Sequence, residues 1–188
     1  MRQPFVHFSL ILCLYLLFVP LVDAESPHIY VEKVHADIIQ VITEKQPIYK
    51  DNPEEFIESI GKALEPLVDF KRISRNVMGK HYKMASQTQR EKFQEIFRST
   101  LLDTYSKTLA EFKDEEIRVI PKVKASIKPK REKVHLEIIT STKVYPAFYD
   151  MYLNKYNQWK LINIVINGVN LGITFRNQFY SLMKDQEN

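Results

Sequence analysis

The chain has 188 residues, 45% of them apolar and 27% charged, with a formal net charge of +4. That apolar content excludes a disordered chain, and four glycines with nine prolines exclude a collagen-like or linker-rich one. The single cysteine, Cys13, excludes a disulfide scaffold and a cysteine-based zinc site.

Residues 1–24 read as a secretory signal peptide. Arg2 precedes an apolar run from Phe5 to Val22, and Val22-Asp23-Ala24 places small residues at −3 and −1 of a cleavage site after Ala24. Pro20 and the shortness of the run argue against a membrane anchor. The expected product is one domain over 25–188, exported, without cysteine and held by its core alone.

In chain order, Ser26-Pro27 opens a first helix with Val31, Val34, Ile38 and Val41 on one face. Asp51-Asn52-Pro53 opens a second, striped by Phe56, Ile60, Leu64 and Leu67. A short helix after Asp69 buries Phe70, Ile73 and Val77 and ends at Gly79. Ser86-Gln-Thr-Gln89 has capping-box form and starts a long helix from about Gln87 to Phe112, with Phe93, Phe97, Leu101, Tyr105 and Leu109 as its stripe.

The period then changes to two. Ile117 and Val119, then Val123, Ala125 and Ile127, then Val134 through Val144, then Tyr149, Met151 and Leu153, and finally Trp159, Leu161, Asn163 and Val165 alternate as strands do. Breaks are expected at Pro129-Lys130, near Pro146 and at Tyr156-Asn157. Asn167-Gly168 is a turn, and a last helix carries Phe175, Phe179 and Leu182. The expected fold class is α+β: N-terminal helices on one face of a curved antiparallel sheet of about four strands, with a C-terminal helix.

Signals for catalysis are weak. His28, His35, His81 and His135 lack metal-ligand spacing, and no G-x-S-x-G elbow occurs. The acidic clusters Asp51/Glu54/Glu55/Glu58 and Asp114/Glu115/Glu116 read as solvated charge. Gly168-Val-Asn-Leu-Gly172 lacks phosphate-loop spacing and reads as a tight turn with close helix packing. Basic residues at Lys71/Arg72/Arg75/Lys80 and from Lys122 to Lys133 suit anionic headgroups or an acidic protein face better than nucleic acid. The aromatic surplus fits either a filled core or an apolar cavity.

An ordered set of segments carries a resemblance: Val68-Asp-Phe-Lys-Arg-Ile73, Val77-Met-Gly-Lys80, Tyr82-Lys-Met-Ala-Ser86, Gln89-Arg90, Phe93, Phe97 and Tyr105. Tyr149-Asp-Met-Tyr152, Trp159-Lys160, Ile166-Asn-Gly-Val-Asn-Leu171 and Phe175-Arg-Asn-Gln-Phe179 complete it. From about Glu32 to Phe179 the chain resembles the MlaC family, periplasmic phospholipid-binding components of an ABC-type system for outer-membrane lipid asymmetry. It departs from the family at Tyr82, where tryptophan is usual, at Asn163 and Asn167, where acids are usual, and at Asn170, where serine is usual.

The resemblance implies a curved sheet backed by helices around an apolar pocket, and a periplasmic lipid shuttle that is not an enzyme and has no cofactor beyond a bound phospholipid. Candidate lipid-binding residues are Val68, Phe70, Ile73, Val77, Phe93, Phe97, Leu101, Tyr105, Tyr149, Met151, Trp159 and Val165. Implied partners are phospholipid, an inner-membrane ABC transporter complex with its substrate-binding subunit, and an outer-membrane lipoprotein–porin complex. Three readings stay open beside it: a carrier of another lipid such as a hopanoid, an exported enzyme using His81 or His135 with a carboxylate, and a purely structural interaction domain.

Overall fold

The computed structural model describes residues 25–112, 115–122 and 130–185. The expected leader, the strand at Val123, Ala125 and Ile127, and the break at Pro129 lie outside the described residues. Helices come first: α1 (Pro27–Lys45), a 3-10 turn (Gln46–Ile48), α2 (Pro53–Leu64), α3 (Phe70–Met78), α4 (His81–Met84) and α5 (Gln87–Ala110). Strands β1 (Glu116–Val119), β2 (Arg131–Ile139), β3 (Val144–Leu153), β4 (Trp159–Ile166) and β5 (Val169–Asn170) follow, then α6 (Leu171–Asp185).

Side-chain caps fix several helix starts. Asn52 accepts from the Glu55 amide and Asp69 from the Arg72 amide, while Ser86 and Gln89 form the full reciprocal box. Ser26 occupies the N-cap of α1 ahead of Pro27 without a side-chain bond. On α5 the inward face is Leu102 and Ser106, not the Leu101/Tyr105 line, and Tyr105 is 44% exposed. The reason is rotational drift: a four-residue step overruns a 3.6-residue turn by about 40°, so the line that begins at Phe93 against α6 has turned by about 120° at Tyr105.

The sheet is antiparallel in the order β1-β2-β3-β4-β5 and open. It has five strands rather than about four, because the Asn167-Gly168 turn, with φ of 47° and 81°, returns the chain as the two-residue β5. The β2–β3 turn lies at Thr140–Lys143, where Thr140 Oγ1 accepts the Lys143 amide, and not near Pro146. Pro146 sits inside β3 opposite Glu137, and its carbonyl accepts from Asn167. Its missing N–H falls where β4 has ended, so the proline is tolerated in an interior strand.

The main core joins Val31, Val34, Ile38 and Ile42 of α1 and Phe56 and Ile60 of α2 to Val134, Leu136, Ala147 and Leu161 of the sheet. His35 of α1 meets the Tyr149 side of the sheet, whereas the first turn of α6 meets the Asn163 side. Successive strand residues point to opposite faces, so helices lie against both faces and not one. Val77 and Val165 are buried outside the main core.

Candidate functional site

A cavity of about 740 Å³ opens between α3, α6 and β2–β4. Its apolar wall is built by Ile73 and Val77 of α3, Met151 of β3, Ile162 of β4 and Ile173 of α6. Apolar surface makes up the larger part of the lining, as expected of an apolar pocket, but not all of it. Lys122, Arg131, Glu132, Lys133, Asp150 and Arg176 give the remainder a charged character. An amphiphile suits such a wall: chains on one side, a polar group on the other.

The bulge between β3 and β4 shapes the floor. Asp150 faces Asn163 and Met151 faces Leu161, so Ile162 has no partner and projects into the cavity. Next to it a polar relay crosses the sheet. Lys133 Nζ lies 3.5 Å from Asp150, whose carboxylate accepts from the Asn163 amide at 2.9 Å. Asn163 Oδ1 accepts from the Gly172 amide at 3.0 Å, and Asn170 Oδ1 from Ile173 at 3.1 Å. Two free amides at the start of α6 are thereby satisfied, which locks the helix over the floor. Gly168–Gly172 is a turn with close packing, and its phosphate-loop reading has no role.

α3 and α6 frame the mouth and are tied to each other. Arg176 donates to the Asn76 carbonyl at 2.8 Å, and the Tyr180 hydroxyl accepts from the Lys80 amide at 3.1 Å. Gly79 has φ of 53° and approaches Tyr180 so closely that α3 can end only on a glycine there.

Of the residues singled out in the sequence, Ile73, Val77 and Met151 line this cavity. Val68 bridges Leu161, and Trp159 is buried in the core with its indole N–H on the Glu25 carbonyl at 2.8 Å. Phe70 carries the Arg98 guanidinium 5.6 Å above its ring. Phe93 and Phe97 stack on each other and edge onto Phe179 and Phe175 of α6. Leu101 is half-buried on α5, Tyr105 is exposed on it, and Val165 is buried beside the second sheet face. The structure therefore gathers three of the twelve at the cavity wall and spreads the others over the core and the α5–α6 aromatic cluster.

Ile162, Asn163, Ile173 and Arg176 were not on that list. One signal was available: Asn163 is a polar break in the otherwise apolar half of Trp159–Ile166.

The histidines are occupied elsewhere. His35 Nε2 pairs with the Tyr149 hydroxyl at 3.1 Å, and its buried Nδ1 has no partner. Burial lowers the His35 pKa to about 4 and pushes the Tyr149 hydroxyl up to about 12. His81 edges onto Phe179 and Tyr180, and His135 lies against Phe148. Among the described residues, no three histidine or acidic side chains gather to hold a metal ion.

The family model described as MlaC protein matches residues 32–188. A toluene tolerance protein, ttg2D, of Pseudomonas putida is 32% identical over 169 residues, covering 89% of this chain and 77% of the relative. An intermembrane phospholipid transport system binding protein MlaC of Haemophilus influenzae is 23% identical over 176 residues, covering 91% and 81%. The fold matches the solved phospholipid-binding protein of Ralstonia solanacearum, in complex with a phospholipid, with a TM-score of 0.77 at 23% identity over 88% of this chain and 90% of that one.

Proposed function

We propose, for a chain that belongs to the MlaC family, that it is a periplasmic phospholipid shuttle and catalyses no reaction. The cavity between α3, α6 and the sheet is the lipid site, and its mainly apolar surface, with charged and amide side chains on the rest of the wall, is the observation that carries this reading. Its volume of about 740 Å³ lies in the upper part of the range for small-molecule sites.

The physical need for a carrier is simple. A diacyl lipid holds roughly 30 methylenes at about 0.8 kcal/mol each, so on the order of 25 kcal/mol opposes its passage through water. A carrier removes that barrier by burying the chains. It leaves the headgroup wet, because burying a phosphate unpaired costs several kcal/mol. Ile73, Val77, Met151 and Ile162 hold chain methylenes in this reading, and the charged rim faces the headgroup.

Loading and release require the cavity to open. Arg176 to Asn76 and Tyr180 to Lys80 are the side-chain hydrogen bonds that tie α6 to α3 and the turn after it. A docking partner that separates these helices must replace them together with the packing of Tyr180 on Gly79. The partners in this reading are an inner-membrane ABC transporter complex with its substrate-binding subunit and an outer-membrane lipoprotein–porin complex.

Native mass spectrometry of the purified protein, followed by solvent extraction, tests the proposal. A stoichiometric phospholipid is expected. Protein that emerges without any amphiphile, and takes none from vesicles, overturns it.

A further inference from the structure

We infer that the face formed by α3, α4 and the start of α5 is a contact surface for an anionic lipid bilayer. This goes beyond cargo binding, since it concerns the membrane itself. Between residues 69 and 90 the chain carries Lys71, Arg72, Arg75, Lys80, Lys83 and Arg90 against a single acid, Asp69, in a protein whose whole excess is only +4. Asp69 is engaged at the wall of this face: it caps α3 and accepts the Tyr152 hydroxyl. Lys71, Arg75, Lys80 and Lys83 are exposed, so basic charge dominates the face, with the exposed Glu91 near the start of α5 the acid that follows it.

Two observations single out a bilayer rather than simple surface charge. Met84, at the end of α4, is 80% exposed and follows Lys83 directly. A flexible apolar side chain with Lys83 next to it and Lys80 four residues before it matches the boundary between headgroups and acyl chains. Its support is firm: Arg90 donates to the carbonyls of Tyr82 and Lys83, and Arg75 and Arg90 sandwich the Tyr82 ring at 5.1 and 4.4 Å. Beside it lies a polar hollow of about 450 Å³ lined by Lys71, Arg72 and Arg75, with Asp69 as the one acid on its wall, a net basic setting for a phosphate headgroup. Asn76 lines both this hollow and the large cavity, so a bilayer held here adjoins the mouth of that cavity.

Vesicle flotation tests the surface. The probes are phosphatidylcholine vesicles with and without about 30% phosphatidylglycerol, at ~0.1 M salt. The purified protein is expected to float only with the anionic vesicles, and to release as salt rises. Charge reversal by Lys71→Glu, Arg75→Glu and Lys83→Glu together is expected to weaken binding at least tenfold. The same charge change placed elsewhere, Lys50→Glu, Lys143→Glu and Lys155→Glu, is expected to stay within about twofold of wild type, since proximity to the surface and not net charge sets the attraction. Met84→Ser is expected to lose several-fold while remaining salt-sensitive.

Equal losses in the two triple variants, or no flotation of the wild type, overturn the inference. Retention on immobilised polyglutamate without vesicle binding overturns it in favour of an acidic protein partner. The patch variant is expected to keep its co-purified phospholipid. A protein that floats but holds no lipid refutes the shuttle and leaves the surface standing.

Discussion

Asn163 accepts a hydrogen bond from the backbone N–H of Gly172 at 3.0 Å, and a Cβ at position 172 would stand 2.6 Å from that same oxygen. The residue that anchors α6 also forbids any side chain at its second position. Gly172→Ala is therefore expected to cost about 1–3 kcal/mol, by breaking the bond or displacing the helix. In an Asn163→Ala background the same substitution should cost less than half as much, because the clash is gone. Urea unfolding of the four proteins measures it, and additive effects would refute the shared contact.

Gly79 is the second constrained position. With φ of 53°, and a Cβ that would fall 2.2 Å from the Tyr180 hydroxyl, it combines backbone strain with a collision. Gly79→Ala is expected to lose about 2 kcal/mol or more. Tyr180→Phe in the same chain should recover only part, since the left-handed strain and the close ring carbon at 3.1 Å persist. Thermal unfolding of the single and double variants decides between these contributions.

His35 makes stability fall on acidification. Its folded pKa is about 4 against 6.5 for the free side chain, because burial disfavours the cation. Protonation would also add a second ring N–H while Nδ1 has no partner to receive it. Above pH 6.5 both folded and unfolded chains hold the ring neutral and nothing changes. Between pH 6.5 and about 4 the unfolded chain takes a proton that the folded chain refuses. The loss approaches about 3 kcal/mol at pH 4 and levels off below. His28, lowered mainly by burial, adds in the same direction. Chemical unfolding at pH 7.5 and pH 4.5 should show the His35→Gln variant losing distinctly less than wild type over this window; equal slopes would rule the assignment out.

Ile162 is the bulged residue at the cavity floor. Ile162→Trp is expected to fill the space now open there, abolishing co-purified lipid while the unfolding midpoint moves by only a few degrees. Retention of a full complement of lipid in that variant would place the ligand elsewhere.

Some of this was readable from local pattern. The caps at Asn52, Asp69 and Ser86, the hydrophobic stripe of α1, the short helix ending at Gly79 and the Asn167-Gly168 turn each follow from residues within a few positions of one another. Pro146 misleads as a strand break because a proline's tolerance depends on which neighbour its nitrogen faces, and that is a property of the pairing. Tyr105 misleads as an inward residue because a helical stripe names a side of the helix and not what packs there.

What the sequence alone determined is therefore the helices-then-strands order, several helix starts, the resemblance to a lipid-binding family, and Ile73, Val77 and Met151 as apolar positions, while α4, β5 and the β2–β3 turn escaped it. Only the tertiary structure decided where an opening survives between them. A cavity is the space left by elements far apart in the chain, so Ile162 enters it through a bulge, Arg176 through the crossing of α3 and α6, and Asn163 through the start of a helix nine residues later. Local periodicity records which side of an element is apolar. It does not record the distance to the neighbour across the gap, and that distance makes the site.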